Sequence, residues 1–245
     1  MSCSDRNQLT IRPIAYIHSD FKEKFGIPRQ PGLVPGLESV IEFESEFSNP
    51  DFIRGIEDFD YLWVVFGFSQ NWNSKEDGSL EAKWSPLVRP PRLGGQKKKG
   101  VFATRSPYRP NGLGMSCLRL IRVERDNGAT RIIVGGADLL DETPIYDIKP
   151  YIAYSDAKPD AHSGFATPKQ VFLQVDFPEK LLSKIPEKKR KSLIGVLEQD
   201  PRDGYAKKPR SVYGLRFADC DIRFTVEGDV LHVIDVDDAS AVHVK

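Results

Sequence analysis

A chain of 245 residues fits one large domain, or one domain with a small appendage, and is long enough to bury a sizeable core. Its 35 basic and 35 acidic residues cancel, so attraction for a polyanion has to come from a local patch and not from net charge. No apolar run reaches membrane-spanning length, the first residues lack the apolar stretch of a signal peptide, and Cys3, Cys117 and Cys220 form no CxxC pair, so a cytoplasmic protein without structural disulfides is expected.

Thr10–Ser19 alternates polar with apolar residues, many β-branched, and reads as a strand. The Gly- and Pro-rich stretch from Asp20 to Gly36 reads as an ordered loop. Val40–Phe47 alternates again, with Ile41 and Phe43 on one face. Asn49, Pro50 and Asp51 make a helix start, and Phe52, Ile56 and Phe59 then recur at the spacing of a short helix. Tyr61–Ser69, YLWVVFGFS, reads as a central strand buried on both faces. Asn71–Glu81 is polar and reads as a mobile excursion. Strands follow at Gly100–Arg105, Met115–Glu124, Thr130–Gly136 and Thr143–Tyr151, with turn signals at Pro110-Asn111-Gly112 and Asn127-Gly128.

Tyr154–Lys169 is rich in Pro, Asp, Ser and Gly and reads as a domain boundary. Beyond it come a strand at Gln170–Phe177 and helical pieces at Glu179–Ile185 and Glu187–Gln199, split by Pro186. Strands at Val212–Phe217, Asp221–Val226 and Leu231–Val236 complete the chain, the last two a hairpin about Gly228. Strands joined by turns and not by long helices predict a mainly β fold, an antiparallel β-barrel or rolled sheet over residues 1–158. Residues 166–245 form a smaller α+β C-terminal domain.

The charge is uneven. No acidic residue occurs from Ala82 through Val123, and that window holds Lys83, Arg89, Arg92, Lys97, Lys98, Lys99, Arg105, Arg109, Arg119 and Arg122. The interleaved Pro and Gly residues make it a shaped loop and not a linker. Shaped, charged loops are where binding and catalysis concentrate. A basic segment with Trp84, Phe102 and Tyr108 between the charges suits a nucleic acid or another anion.

Several common sites are missing. There is no HExxH and no Cys/His cluster, and His18, His162, His232 and His243 are isolated in sequence, so no metal is expected. There is no GxSxG elbow and no GxGxxG between a strand and a helix. Gly94-Gly95 ahead of Lys97–Lys99 lacks the spacing of a phosphate loop.

Five ordered segments carry a resemblance: KEKFGIPRQPGL (Lys22–Leu33), LWVVFGFSQ (Leu62–Gln70), RPPRLGG (Arg89–Gly95), GVFATRSPYRPNGLGMS (Gly100–Ser116) and DLLDETPIYDIKPY (Asp138–Tyr151). They resemble the TsaA-like β-barrel family, also called TrmO, and EQDPRDGY (Glu198–Tyr205) resembles the C-terminal domain of its bacterial members. The resemblance implies an antiparallel single-sheet β-barrel, dimeric and without metal. It implies an S-adenosylmethionine-dependent tRNA methyltransferase acting on N6 of N6-threonylcarbamoyladenosine beside the anticodon.

It also implies a set of cofactor-binding positions. They are Pro28, Arg29 and Gln30 of the first loop, Ser69 and Gln70 at the end of the central strand, Arg105, Met115, and Asp141, Glu142, Thr143 and Pro144. Ser69 stands where the family has His, and Glu142 where it has Gly. Glu does not readily adopt the φ open to Gly, so this loop is either ordinary in φ or rebuilt. A carboxylate such as Asp141 suits a sulfonium, and Arg29 or Arg105 suits a carboxylate tail. The expected tRNA contacts are Arg89, Arg92, Lys97, Lys98, Lys99, Tyr108 and Arg109, with Arg202 and Tyr205 from the C-terminal domain. No proton acceptor stands out by spacing. A non-catalytic RNA-binding or S-adenosylmethionine-sensing barrel is the alternative, motivated by Ser69 and Glu142.

Overall fold

The computed structural model describes residues 9–75, 80–93, 96–126, 129–166, 172–202 and 211–238. The first part of the chain supplies β1 (Ala15–His18), β2 (Glu38–Phe43), β3 (Tyr61–Gly67), β4 (Trp72–Ser74), β5 (Leu80–Ala82) and β6 (Leu87–Val88). Then come β7 (Lys99–Gly100), β8 (Leu113–Asp126), β9 (Ala129–Gly135), β10 (Thr143–Pro150) and the one-turn helix α1 (Ala153–Asp156). The remainder is β11 (Gln174–Asp176), α2 (Glu179–Leu182), α3 (Glu187–Glu198), β12 (Tyr213–Phe217), β13 (Cys220–Glu227) and β14 (Val230–Asp238).

A barrel closes in the order β1-β10-β3-β8-β9-β2, with antiparallel pairing throughout. The period-2 pattern puts Ile17, Ile41, Leu62, Val64, Leu118, Ile132 and Ile145 inside, all fully buried. Closure pairs every strand edge, which is why the short β1 can sit in the sheet without a free edge. The barrel confirms the single-sheet architecture that the motifs imply. One expectation changes: β3 is buried on one face only, since Tyr61 is exposed and Trp63 and Val65 are half-buried. An apolar run does not separate a strand buried on both faces from a barrel strand whose outer face is also apolar.

Local departures have local causes. The helix expected over Phe52–Phe59 is two 3₁₀ turns, Pro50–Ile53 and Ile56–Asp58, because Gly55 between them sits at φ 83°. Asn49 does cap the first, its Oδ1 accepting from the Asp51 amide at 3.0 Å. The expected excursion after Asn71 folds as a β4–β5 hairpin arm, with Trp72 opposite Ala82. Of the strand expected at Gly100–Arg105 only the first residue pairs, in the β6–β7 ladder, and Val101–Ala103 is a 3₁₀ turn.

A second core lies under the sheet β11-β14-β13-β12, in which β11 runs parallel to β14. Helix α3 buries Leu193, Val196 and Leu197 against Leu215, Phe217, Ile222 and Phe224 of the sheet. The same core takes in Phe21, Val34 and Leu37 from the loop between β1 and β2, with Phe25 and Ile27 packed on it. Polar contacts reinforce this: Lys189 Nζ lies 2.6 Å from Asp20 Oδ2, and Ser192 Oγ donates to the Gly36 carbonyl at 2.6 Å. The loop is thus built jointly. Its Gly32 amide bonds the Gly136 carbonyl of the barrel at 2.8 Å, and both glycines have positive φ where their backbones touch. Its Gly26, at φ 87°, presses against Leu215 of β12.

Candidate active site

β3 ends at Gly67, where a Cβ would lie 2.5 Å from the Trp72 ring. The missing side chain lets the chain turn through Ser69–Asn71 and lay Trp72 beside Tyr146, ring centroids 6.5 Å apart. A cavity of about 220 Å³ opens at this turn. Phe66, Phe68, Ser69, Gln70 and Asn71 form one side of it, and Asp138, Leu139, Leu140 and Thr143 another. Lys24 and Ile27 of the β1–β2 loop and Pro107 of the basic segment complete the wall.

Two polar groups in this wall are unusual. Asn71 is buried, and its Oδ1 accepts from Lys24 Nζ at 3.2 Å while its Nδ2 has no hydrogen-bond partner. An unmet buried donor costs about 1–3 kcal/mol. Asp138 is partly buried, and its Oδ1 accepts from Ser116 Oγ at 2.7 Å. Burial pushes its carboxyl above the usual range, while the Ser116 hydrogen bond, its own amide and the Arg105 charge pull it part of the way back.

The cofactor positions expected from the motifs do not all lie in one place. Ser69, Gln70 and Thr143 line the cavity. Gln30 and Arg105, 75 residues apart, are joined by a hydrogen bond from the guanidinium to Oε1, three residues from Ile27 and two from Pro107 of the wall. Arg29, exposed, donates to the Arg202 carbonyl at 3.3 Å, while Pro28 is buried. Pro144 is buried in β10 opposite Tyr16.

Asp141, Glu142 and Met115 are not on the wall. Asp141 takes the Ser19 amide at 2.9 Å on one oxygen and Lys22 Nζ at 2.5 Å on the other. Met115 is 57% exposed on the outer face of β8, opposite Val65. Glu142 sits at φ 62°, so the loop is neither ordinary in φ nor rebuilt. It keeps the left-handed turn that suits Gly, at a cost of about 1–2 kcal/mol for a side chain. His18 Nδ1 lies 3.8 Å from Asp141 and 3.5 Å from Glu142, but Lys22 already occupies that carboxylate.

The basic segment is only partly free to bind. Arg109 Nη1 donates to the Thr104 and Ser106 carbonyls at 3.0 and 3.3 Å and so holds its own turn. Arg122 pairs with Glu124 and Glu38 on the barrel wall. Lys97, Lys98 and Lys99 are exposed at the β6–β7 hairpin, as are Arg89 and Tyr108. Arg202 corrects an expectation: it is buried, with Nε 2.6 Å from Asp200 Oδ1, and so presents no charge for a phosphate. Tyr205 and the Arg92 side chain lie outside the described residues.

Residues 16–157 match the model of the tRNA-methyltransferase O N-terminal domain, and residues 170–239 that of the TrmO C-terminal domain. The chain belongs to the TrmO family. Among its relatives is RcsF of Pseudomonas aeruginosa, assigned to the S-adenosylmethionine-dependent methyltransferases and 39% identical over 236 residues, 93% of this chain and 97% of the relative. The tRNA (adenine(37)-N6)-methyltransferase of Escherichia coli is 36% identical over 222 residues, 87% of this chain and 91% of the relative. A crystal structure of TrmO from P. aeruginosa superposes with a TM-score of 0.75 at 33% identity, covering 96% of this chain and 99% of that one.

Set among TrmO proteins, this chain brings motif residues from four separate segments to one cavity. Asn71, Lys24 and Asp138 are the site residues that motif spacing passed over. Lys24 and Asp138 lie inside the matched segments, and nothing in their spacing marks them. Asn71 lies one residue past a segment, in the stretch read as mobile. Among the described residues no helix is long and apolar enough to cross a membrane.

Proposed function

We propose that this chain transfers the methyl group of S-adenosylmethionine to N6 of N6-threonylcarbamoyladenosine next to the anticodon of tRNA. The observation that carries the reading is the cavity beside the Gln30–Arg105 pair, walled by Ile27, Ser69-Gln70, Pro107, Asp138–Leu140 and Thr143. The residues present fit the cofactor. Phe66 and Phe68 supply aromatic lining for a flat base, the unpaired Asn71 amide offers a donor, and the guanidinium groups of Arg29 and Arg105 suit its carboxylate. The cofactor supplies an electrophilic methyl on a cationic sulfur. The protein's part is to hold the acceptor nitrogen in line with it and to exclude water.

The barrel, residues 1–158, holds the cofactor, and the C-terminal domain, residues 166–245, steadies the loop that carries Arg29 and Gln30. The exposed Lys97, Lys98 and Lys99 meet anticodon-loop phosphates beside Arg89, and Tyr108 offers a ring for a splayed base. The enzyme works in the cytoplasm as a homodimer, joined through the outer face of β3 and β8, where Tyr61 and Met115 are exposed beside Val65. Sedimentation at assay concentration checks the dimer, and an active monomer would overturn it.

The deciding experiment incubates the protein with labelled S-adenosylmethionine and tRNA carrying or lacking the threonylcarbamoyl group, followed by nucleoside analysis. Label is expected only with the modified tRNA and only at N6. Cofactor binding with no transfer to any tRNA would instead establish a non-catalytic barrel. A Lys97/Lys98/Lys99 triple alanine variant is expected to flatten the log–log salt dependence of tRNA affinity by about two units. An unchanged slope would remove the hairpin from the tRNA surface.

A further inference from the structure

Resting on the N6-methylation reading, we propose that Asp138 is the proton acceptor of the methyl transfer, positioned by the Ser116 hydroxyl at the cavity wall. The acceptor nitrogen is conjugated with its ring and with the carbamoyl group, so its lone pair is a poor nucleophile while its proton stays in place. The N6 lone pair forms the bond to the methyl carbon, and the electron pair of the carbon–sulfur bond stays on sulfur. The N6 proton passes to a carboxylate oxygen of Asp138. A cationic sulfonium and an anionic carboxylate thereby become a neutral thioether and a neutral acid, and the acid gives its proton to water as product leaves.

The geometry singles out this carboxylate. Of the described residues lining the cavity, only Lys24 and Asp138 carry an ionisable side chain. Lys24 Nζ donates to Asn71 Oδ1 and offers no acceptor there. Asp141 already has both oxygens bonded, by Ser19 and Lys22. His18 alternates on β1 with the fully buried Ile17, so it faces away from the barrel interior. Arg105 is close enough to act on Asp138 only through its charge. The Tyr146 phenol, beside Trp72, is pushed up by burial and is no base at neutral pH.

Ser116 faces inward from β8 at 2% exposure and aims its hydroxyl at Oδ1. It holds the carboxyl in place. A general base works best when its pKa approaches the working pH, and burial moves this carboxyl in that direction. The chain thus fixes one carboxylate, held by one hydroxyl, in the cavity wall.

The test uses the full chain and threonylcarbamoyl-containing tRNA. Asp138→Asn is expected to bind S-adenosylmethionine within threefold of wild type by calorimetry. Its single-turnover rate is expected to fall about 100-fold or more, with the acid limb of the rate–pH profile lost. Carboxyl ¹³C NMR of the wild type should show one aspartate titrating above the ordinary range, absent from Asp138→Asn. Ser116→Ala removes a hydrogen bond that favours the carboxylate, so its acid limb should move to higher pH, and this second variant keeps the test open should Asp138→Asn fold poorly. An Asp138→Asn enzyme that keeps its rate, a Ser116→Ala profile that does not move, or a more than tenfold loss of cofactor affinity in Asp138→Asn would overturn the assignment while leaving N6 methylation standing. A wild type inert on every tRNA would overturn both.

Discussion

Phe217→Ala is expected to lower stability by about 3–5 kcal/mol and to weaken S-adenosylmethionine binding, although Phe217 lines no part of the cavity. Its ring is fully buried at the end of β12 and meets Phe21 edge to face, with centroids 5.5 Å apart. Phe21 opens the loop that carries Arg29 and Gln30, and the Asp20 carbonyl beside it accepts from the Ala218 amide at 3.1 Å. Emptying the Phe217 site leaves a cavity under that loop and removes an aromatic contact worth about 0.5–1.5 kcal/mol beyond its area. Total stability of a domain is about 5–15 kcal/mol, so the variant should fold but melt early. Urea titration measures the first effect and calorimetry the second. A stability loss with wild-type cofactor affinity would show that the barrel alone shapes the loop.

Gly26→Ala should do comparable harm by a different route. Gly26 sits at φ 87°, and a Cβ there would fall 2.1 Å from Leu215 Cδ1. The left-handed backbone costs a side chain about 1–2 kcal/mol, and overpacking adds about 1–3 kcal/mol. The sum, about 2–5 kcal/mol, is expected in chemical denaturation. Leu215→Ala relieves the collision but not the backbone, so the double variant should lose less than the two singles added together. Strict additivity would mean that the loop moves away from β12 instead of pressing on it.

Both outcomes bear on what the C-terminal domain does. Its core holds Phe21, Val34 and Leu37, so the loop with the Pro28-Arg29-Gln30 motif is fixed from two sides. Arg202 belongs to the same device. Its side chain is paired with Asp200 while its carbonyl receives Arg29. That explains why a basic residue in a segment expected to touch tRNA is buried.

The sequence by itself determined most of the longer strands, because alternation and turn residues are local signals. β8, β9, β10 and the β13–β14 hairpin lie within a few residues of where periodicity puts them. It also determined the TrmO family, because long motifs such as Lys22–Leu33, Leu62–Gln70 and Gly100–Ser116 hold their order along the chain. Some local features were hidden even so. Ala218 and Asp219 form the β12–β13 turn at φ 48° and 62° with no Gly to announce it, and Gly55 divides what spacing alone reads as one helix.

Only the tertiary structure decided which of those residues meet. Barrel closure sets the end of β3 beside the turn before β10, which places Ser69 and Asp138 on one cavity although they are far apart in sequence. Strand parity sends Ser116 inward to Asp138 and its neighbour Met115 outward. Whether a charge is spare or spent is likewise a matter of contacts. Arg122 and Asp141 look available in sequence, and each is engaged by a partner that only the fold brings within reach, Glu38 for Arg122 and Lys22 for Asp141. The physical reason is range: periodicity and turn chemistry act over a few residues, whereas burial, desolvation and ion pairing depend on neighbours tens to more than a hundred positions away.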